Sequence, residues 1–307
     1  MKLYKYAVRD RIDVLVNGLI RFTQPIAQND PFEMRPILKQ VMSEDTFREE
    51  VIKPSDKEIR ERVLDELIES LYQEAKKAGQ KRPRKSFRGL ALSLMEAHQS
   101  KFNSFLNEGY AVITEAFKSA EPDILNSLSD TLLNRIGMLS LTESPDHPLM
   151  WAHYAGANTG IVLAFDSENE YFTTRRSEED EVSGLHKVTY AEERPEIKDF
   201  QELFDREDWY TVLCATKGKH WEYEQEWRMI KLLKEAAKSI PTPTGDIHLF
   251  EVPISCITEV ILGDRMPLKE QDEVADLLQD PRYSHISLSK IVKDEKSFKF
   301  RITQYDD

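Results

Sequence analysis

The feature that most constrains the fold is a change of hydrophobic period near residue 136. Over residues 56–78 the apolar positions are Ile59, Val63, Leu64, Leu67, Ile68, Leu71, Tyr72 and Ala75. Steps of three, four and one trace a single stripe on an α-helix. Residues 84–107 repeat the pattern through Phe87, Leu90, Ala91, Leu94, Met95, His98, Phe102, Phe105 and Leu106, and Gly79 and Pro83 separate the two runs. The spacing predicts an antiparallel helix pair, with His98 a core or boundary side chain, and further helix at 110–119 and 123–134. From Ile136 onward short β-branched and aromatic runs take over. Strands are expected at 138–142, 160–166, 187–190, 226–231, 247–252, 259–262, 285–289 and 298–304. Helices are expected between them at 149–155, 199–215 and 267–278. At the start of the chain a strand at 3–7, a helix at 9–17 closed by Gly18, and a strand at 19–23 precede a proline-containing loop. Strands without regular βα alternation predict an α+β protein: a mainly antiparallel or mixed sheet with an embedded helical lobe at about 34–135, in one domain spanning 1–307.

Composition narrows the classes. With 40% apolar and 32% charged residues the chain has the make-up of a soluble globular protein. No window approaches a membrane span, and the start MKLYKYAVRDR has no apolar leader. A cytoplasmic protein with no membrane partner is expected. Cys214 and Cys256 stand far apart, in no metal or redox spacing, and read as reduced buried thiols. A net charge of −13 makes broad nucleic-acid binding unfavourable. The basic run 76–85 reads as a solvated helix–helix turn, and the acidic run Glu178–Glu181 as a loop.

The phosphate-loop, dinucleotide-fingerprint, HExxH and GxSxG patterns are all missing. Four polar–aromatic clusters lie outside the helical lobe instead. They are Asn29-Asp30-Pro31-Phe32-Glu33; Ser140-Leu141-Thr142-Glu143; Leu149 to Gly156, which includes Trp151, His153 and Tyr154; and Lys217 to Arg228, KGKHWEYEQEWR. Alternation places the Ser140 and Thr142 hydroxyls on one strand face. If 224–230 is extended, Glu224, Glu226 and Arg228 share a face, with Trp227 and Met229 opposite. That segment can be an edge strand with solvated acids, or the wall of a shared cleft.

The runs YKY at Tyr4–Tyr6, NDPFE, LMWAHYA followed by GIVLAFD, KVTY at Lys187–Tyr190 and KHWEYEQEWR together resemble the motif set of the bacterial domain-of-unknown-function family 2971. Ala7 stands where that family often has Arg, and Leu139-Ser140-Leu141-Thr142 where it often has Cys-Phe-Ser. The motif order is also similar, more distantly, to ADP-ribosyltransferases. These have a first-strand polar or aromatic residue (Tyr4 or Tyr6 here), a Ser/Thr strand (Ser140, Thr142, with Tyr154) and a Glu-x-Glu strand (Glu224, Glu226). That resemblance implies NAD as cofactor or substrate, a small-molecule nucleotide as partner, and an acceptor left open. Cleaving the nicotinamide–ribose bond develops oxocarbenium character. Glu226 would stabilise the cation and Glu224 would deprotonate the acceptor. Tyr154 or Trp151 would stack on nicotinamide, and His153 or Asn29 would hold ribose or amide. Tyr6, Asp30, Lys217, Trp221 and Arg228 complete the candidate ligand contacts. Two other classes stay open. One is a sensor or interaction module in which these runs are structural. The other is a divalent-metal phosphodiesterase or nuclease using Asp30, Glu33, Glu224 and Glu226.

Overall fold

The computed structural model describes residues 1–305 apart from Arg176, Glu179, Glu181 and Thr244, so the acidic run at Glu178–Glu181 lies partly outside the described residues. The chain forms two compact units. One comprises residues 1–37, 129–196 and 206–307, and the other residues 38–128 and 197–205. The fold class is α+β, as the change of period predicts. Among the described residues no helix is long and apolar enough to cross a membrane.

The first unit is built on a mixed sheet. Its strands are β1 (Lys2–Ala7), β3 (Ile136–Thr142), β4 (Ile161–Asp166), β5 (His186–Lys187), β8 (Glu226–Leu232), β11 (Ile257–Leu262), β12 (Ser287–Lys293) and β13 (Phe300–Gln304). Their spatial order is β13-β12-β11-β4-β1-β3-β8-β5. Only β11 and β12 run parallel; the other neighbours are antiparallel. A smaller antiparallel sheet joins β9 (Lys238–Ile240), β10 (Ile247–Glu251) and β2 (Leu19–Phe22). A short parallel pair joins β6 (Thr189–Ala191) to β7 (Thr216–Gly218).

β4 reads IVLAFD and is apolar on both faces because both faces are covered. On one face Leu3, Leu139, Leu141, Leu163, Phe165 and Met229 enter the largest core, with Phe22, Phe250 and Val274. The opposite face holds two separate apolar clusters. Tyr6, Val162 and Ile261 pack with Met150 and Trp151 of the helix α5 (Pro148–Tyr154). Met138 and Ile230 pack with Tyr210 and Cys214 of the helix α6 (Trp209–Cys214). Between those clusters, on the same face, the register pairs Glu226 with Thr142 and Arg228 with Ser140. A polar band therefore crosses an otherwise apolar surface.

The second unit is mainly helical. α2 (Lys53–Lys77), α3 (Arg88–Ala97) and the 3-10 turn Arg84–Phe87 before α3 bury Leu64, Ile68, Phe87 and Ala91 against one another. The expected breaks around Gly109 and Pro122 do not occur, since α4 runs unbroken from Gln99 to Leu133 with Pro122 inside. Glycine costs a helix only about 1 kcal/mol, and proline forfeits one hydrogen bond, so neither has to end so long an element. His98 caps α3 and is exposed, which corrects its expected place in the core or at its boundary: the helix stops at Ala97 before the stripe reaches it. The single helix expected over 199–215 is two, Phe200–Asp205 and α6, parted by a turn at Arg206–Asp208.

Candidate functional site

The run KGKHWEYEQEWR is not one extended segment. Lys217 and Gly218 end β7, residues Lys219–Glu224 form a 3-10 helix, and β8 starts only at Glu226. Gln225 joins them in the left-handed region at φ 43° and ψ 51°. A non-glycine residue there carries backbone strain of about 1 kcal/mol or more, which the surrounding structure must impose. The turn has a clear geometric product: Glu224 and Glu226 both face Lys217. β8 is paired on both sides, by β3 and by β5, and its acids are buried rather than solvated.

Glu226 is enclosed by cations. Arg228 donates from Nε to Oε1 and from Nη2 to Oε2, each at 3.0 Å, and Lys217 Nζ donates to Oε2 at 3.1 Å. The Tyr190 hydroxyl accepts from its backbone amide at 2.8 Å. Burial alone would raise the Glu226 pKa, but Arg228 and Lys217 outweigh it and hold the carboxyl well below the usual range. Arg228 has no exposed surface. Its Nη1 pairs with Glu33 at 2.7 Å and donates to the Cys214 carbonyl at 2.7 Å. Glu33 is pushed upward by burial, which Arg228 only partly offsets. Burial lifts the Cys214 thiol to about 12, so it stays protonated at neutral pH.

Glu224 is held differently, with one donor on each oxygen. Tyr154 Oη donates to Oε1 at 2.5 Å and Lys217 Nζ to Oε2 at 2.5 Å. Each carboxylate oxygen can accept two bonds, so Glu224 keeps acceptor capacity that Glu226 has largely used. Burial and the Glu224 carboxylate raise the Tyr154 pKa, which keeps the phenol protonated as a donor. Lys217 loses charge stability through burial, but Glu226 and Glu224 more than restore it.

A cavity of 270 Å³ opens beside these groups, lined among others by Tyr6, Asn29, Ser140, Thr142, Tyr154, Lys217, Glu224 and Glu226. Residues from all four sequence clusters thus converge on it. The sheet itself makes the space. β1 and β3 share one register pair, Tyr4 with Thr142, and β3 next bridges to Thr23 through Met138. In the interval between, the Lys5 ammonium donates to the Ser140 carbonyl at 2.9 Å.

Other candidate residues are placed elsewhere. Trp151 is fully buried, with its indole N–H donating to the Pro145 carbonyl at 2.9 Å and its ring edge-on to Tyr6 at 5.3 Å. His153 is exposed on the outer side of α5, and neither it nor Trp151 lines the cavity. Asp30 accepts from the Phe32 amide at 2.9 Å in a turn and borders a separate 620 Å³ cleft that shares Lys217. Trp221 lies under the Lys217 ammonium at 4.8 Å, and Arg228 is walled off behind Glu226. The acids of the metal reading are interleaved with cations. Among the described residues no group of three His, Cys, Asp or Glu side chains is arranged to hold a metal ion.

Sequence reading missed Lys5 and Arg21 as wall residues of the same cavity. A signal for Lys5 existed: it shares a strand face with Leu3, and a charge at a core position is a departure from pattern. Arg21 gave none, because its alternation with buried Ile20 and Phe22 reads as an ordinary outward charge.

Fold and site define an α+β protein whose mixed sheet carries a buried ionic network next to a small polar cavity. Residues 150–229, from α5 through the end of the Glu-x-Glu run, match the model of the family described as Protein of unknown function (DUF2971), the family that the motifs resemble. No curated protein and no solved structure matches the chain.

Proposed function

We propose that the cavity binds the nicotinamide–ribose end of NAD or a related nucleotide and hydrolyses its N-glycosidic bond, water adding to the anomeric ribose carbon and losing a proton to solvent as nicotinamide leaves, with Glu224 rather than Glu226 as the working carboxylate. The observation that carries this reading is the difference between the two acids. Glu226 meets two Arg228 nitrogens and Lys217. Glu224 meets only one donor per oxygen, and both acids line the cavity. A carboxylate that retains free lone pairs can accept from ribose hydroxyls and stabilise the oxocarbenium-like centre as the bond breaks. Lys217 and Tyr154 fix its orientation, and Glu226 holds Lys217 in turn. At 270 Å³ the space is at the small end of ligand sites and suits one end of a dinucleotide.

The test is nicotinamide release from NAD by the full chain, followed by chromatography. Glu224→Gln should lower the rate by about 100-fold or more, with folding retained. Release at the wild-type rate in that variant would overturn the assignment. A second reading, a binding module without turnover, draws on the same buried network, since a fully partnered Glu226 is also good scaffolding. NAD bound but left intact over days would favour it.

A further inference from the structure

We propose that Lys5 and Arg21 form an anion subsite in this cavity, taking a phosphate or pyrophosphate group. It deepens the nucleotide reading and rests on it only for the ligand's source. Both side chains line the cavity, one from β1 and the other from β2. The Arg21 Nε is buried and has no hydrogen-bond partner, which is unfavourable for so polar an atom unless something is bound there. Lys5 makes one hydrogen bond, to the Ser140 carbonyl, and an ammonium has three hydrogens to donate.

Neither nearby carboxylate makes a hydrogen bond to these cations, although both act on Lys5 through space. Glu226 is engaged by Arg228 and Lys217, and Glu224 by Lys217 and Tyr154. Burial first, then Arg11, lowers the Arg21 pKa. Burial first, then Arg21, brings the Lys5 pKa down to about 8 against the pull of Glu226 and Glu224. Lys5 is half-buried and lines the cavity. A multivalent oxyanion between the two would accept from the Arg21 fork and from the spare Lys5 hydrogens, and would remove their repulsion.

Binding to the full chain can be measured by calorimetry with inorganic phosphate, pyrophosphate and ADP, in wild type, Arg21→Gln and Lys5→Met, with thermal melts to verify folding. Pyrophosphate should bind wild type, and each variant should weaken it tenfold or more. ADP binding well above pyrophosphate identifies a nucleotide source, and equal affinity identifies the free anion. Should Lys5→Met fail to fold, Arg21→Gln and the milder Arg21→Lys carry the test. No binding by wild type at millimolar anion, or unchanged affinity in a folded Arg21→Gln chain, overturns the proposal. Because no turnover is involved, anion binding can succeed where nicotinamide release fails, and the reverse.

Discussion

Replacing Arg228 with methionine is the sharpest probe of the buried network. The guanidinium has no exposed surface and meets Glu226 twice at 3.0 Å, Glu33 at 2.7 Å and the Cys214 carbonyl at 2.7 Å. Methionine fills much of the space but leaves Glu33 and most of Glu226 as buried, unpaired carboxylates. Breaking a buried pair by removing one partner costs about 3–5 kcal/mol. For a unit of this size that corresponds to a drop of about 6–20 °C in melting temperature. Glu226→Gln should cost less, about 1–3 kcal/mol, because Arg228 keeps Glu33 and the carbonyl. The pH dependence has a definite sign. In wild type the depressed Glu226 pKa contributes stability above the ordinary carboxylate pKa, and this is lost as pH falls. Without Arg228 the same burial raises the carboxyl pKa values, so the folded variant takes up more protons than its unfolded chain. The deficit of Arg228→Met should therefore shrink between pH 7 and pH 5. Urea melts followed by circular dichroism at both pH values check this. A loss under about 1 kcal/mol at pH 7, or a deficit indifferent to pH, would show that Arg228 does not hold Glu226 and Glu33 charged in the core.

Tyr154→Phe removes the single donor to Glu224 Oε1. It should slow nicotinamide release by about 10- to 100-fold while costing no more than about 1.5 kcal/mol of stability. Equal turnover would mean that the hydroxyl plays no part in placing the carboxylate. Lys5→Met tests the enclosed ammonium. Its folded pKa of about 8 lies below the ordinary 10.5, so the unfolded chain binds more protons between those values and wild-type stability gains with rising pH there. Arg21, Glu226 and Glu224 are the charged groups that set this balance. The variant should lose that slope, and parallel stability curves from pH 8 to 10 would contradict it.

Much of the fold was legible because long periodic segments declare themselves. The stripe of Ile59 to Ala75 and the continuous apolar run of β4 each gave the right element. Boundaries were harder where a punctuating residue is tolerated, as with Pro122 inside α4. The convergence of the four clusters was foreshadowed only by their residue types, since strand order depends on non-local pairing. Two features had almost no local trace. The left-handed Gln225, which brings Glu224 and Glu226 onto one lysine, is a residue type with no special preference for that conformation. Lys5 and Arg21 line one cavity although they come from different strands, β1 and β2, a tertiary arrangement that neither strand encodes alone. Trp151, the most conspicuous aromatic of its cluster, serves instead as the packing centre of α5.

The most direct measurement is a crystal structure of the Glu224→Gln chain with NAD trapped in the cavity. Ribose hydroxyls are expected within hydrogen-bond distance of position 224, nicotinamide beside Tyr154, and phosphate oxygens against Lys5 and Arg21. NAD bound at any other surface, with this cavity holding only solvent at saturating ligand, would contradict this placement.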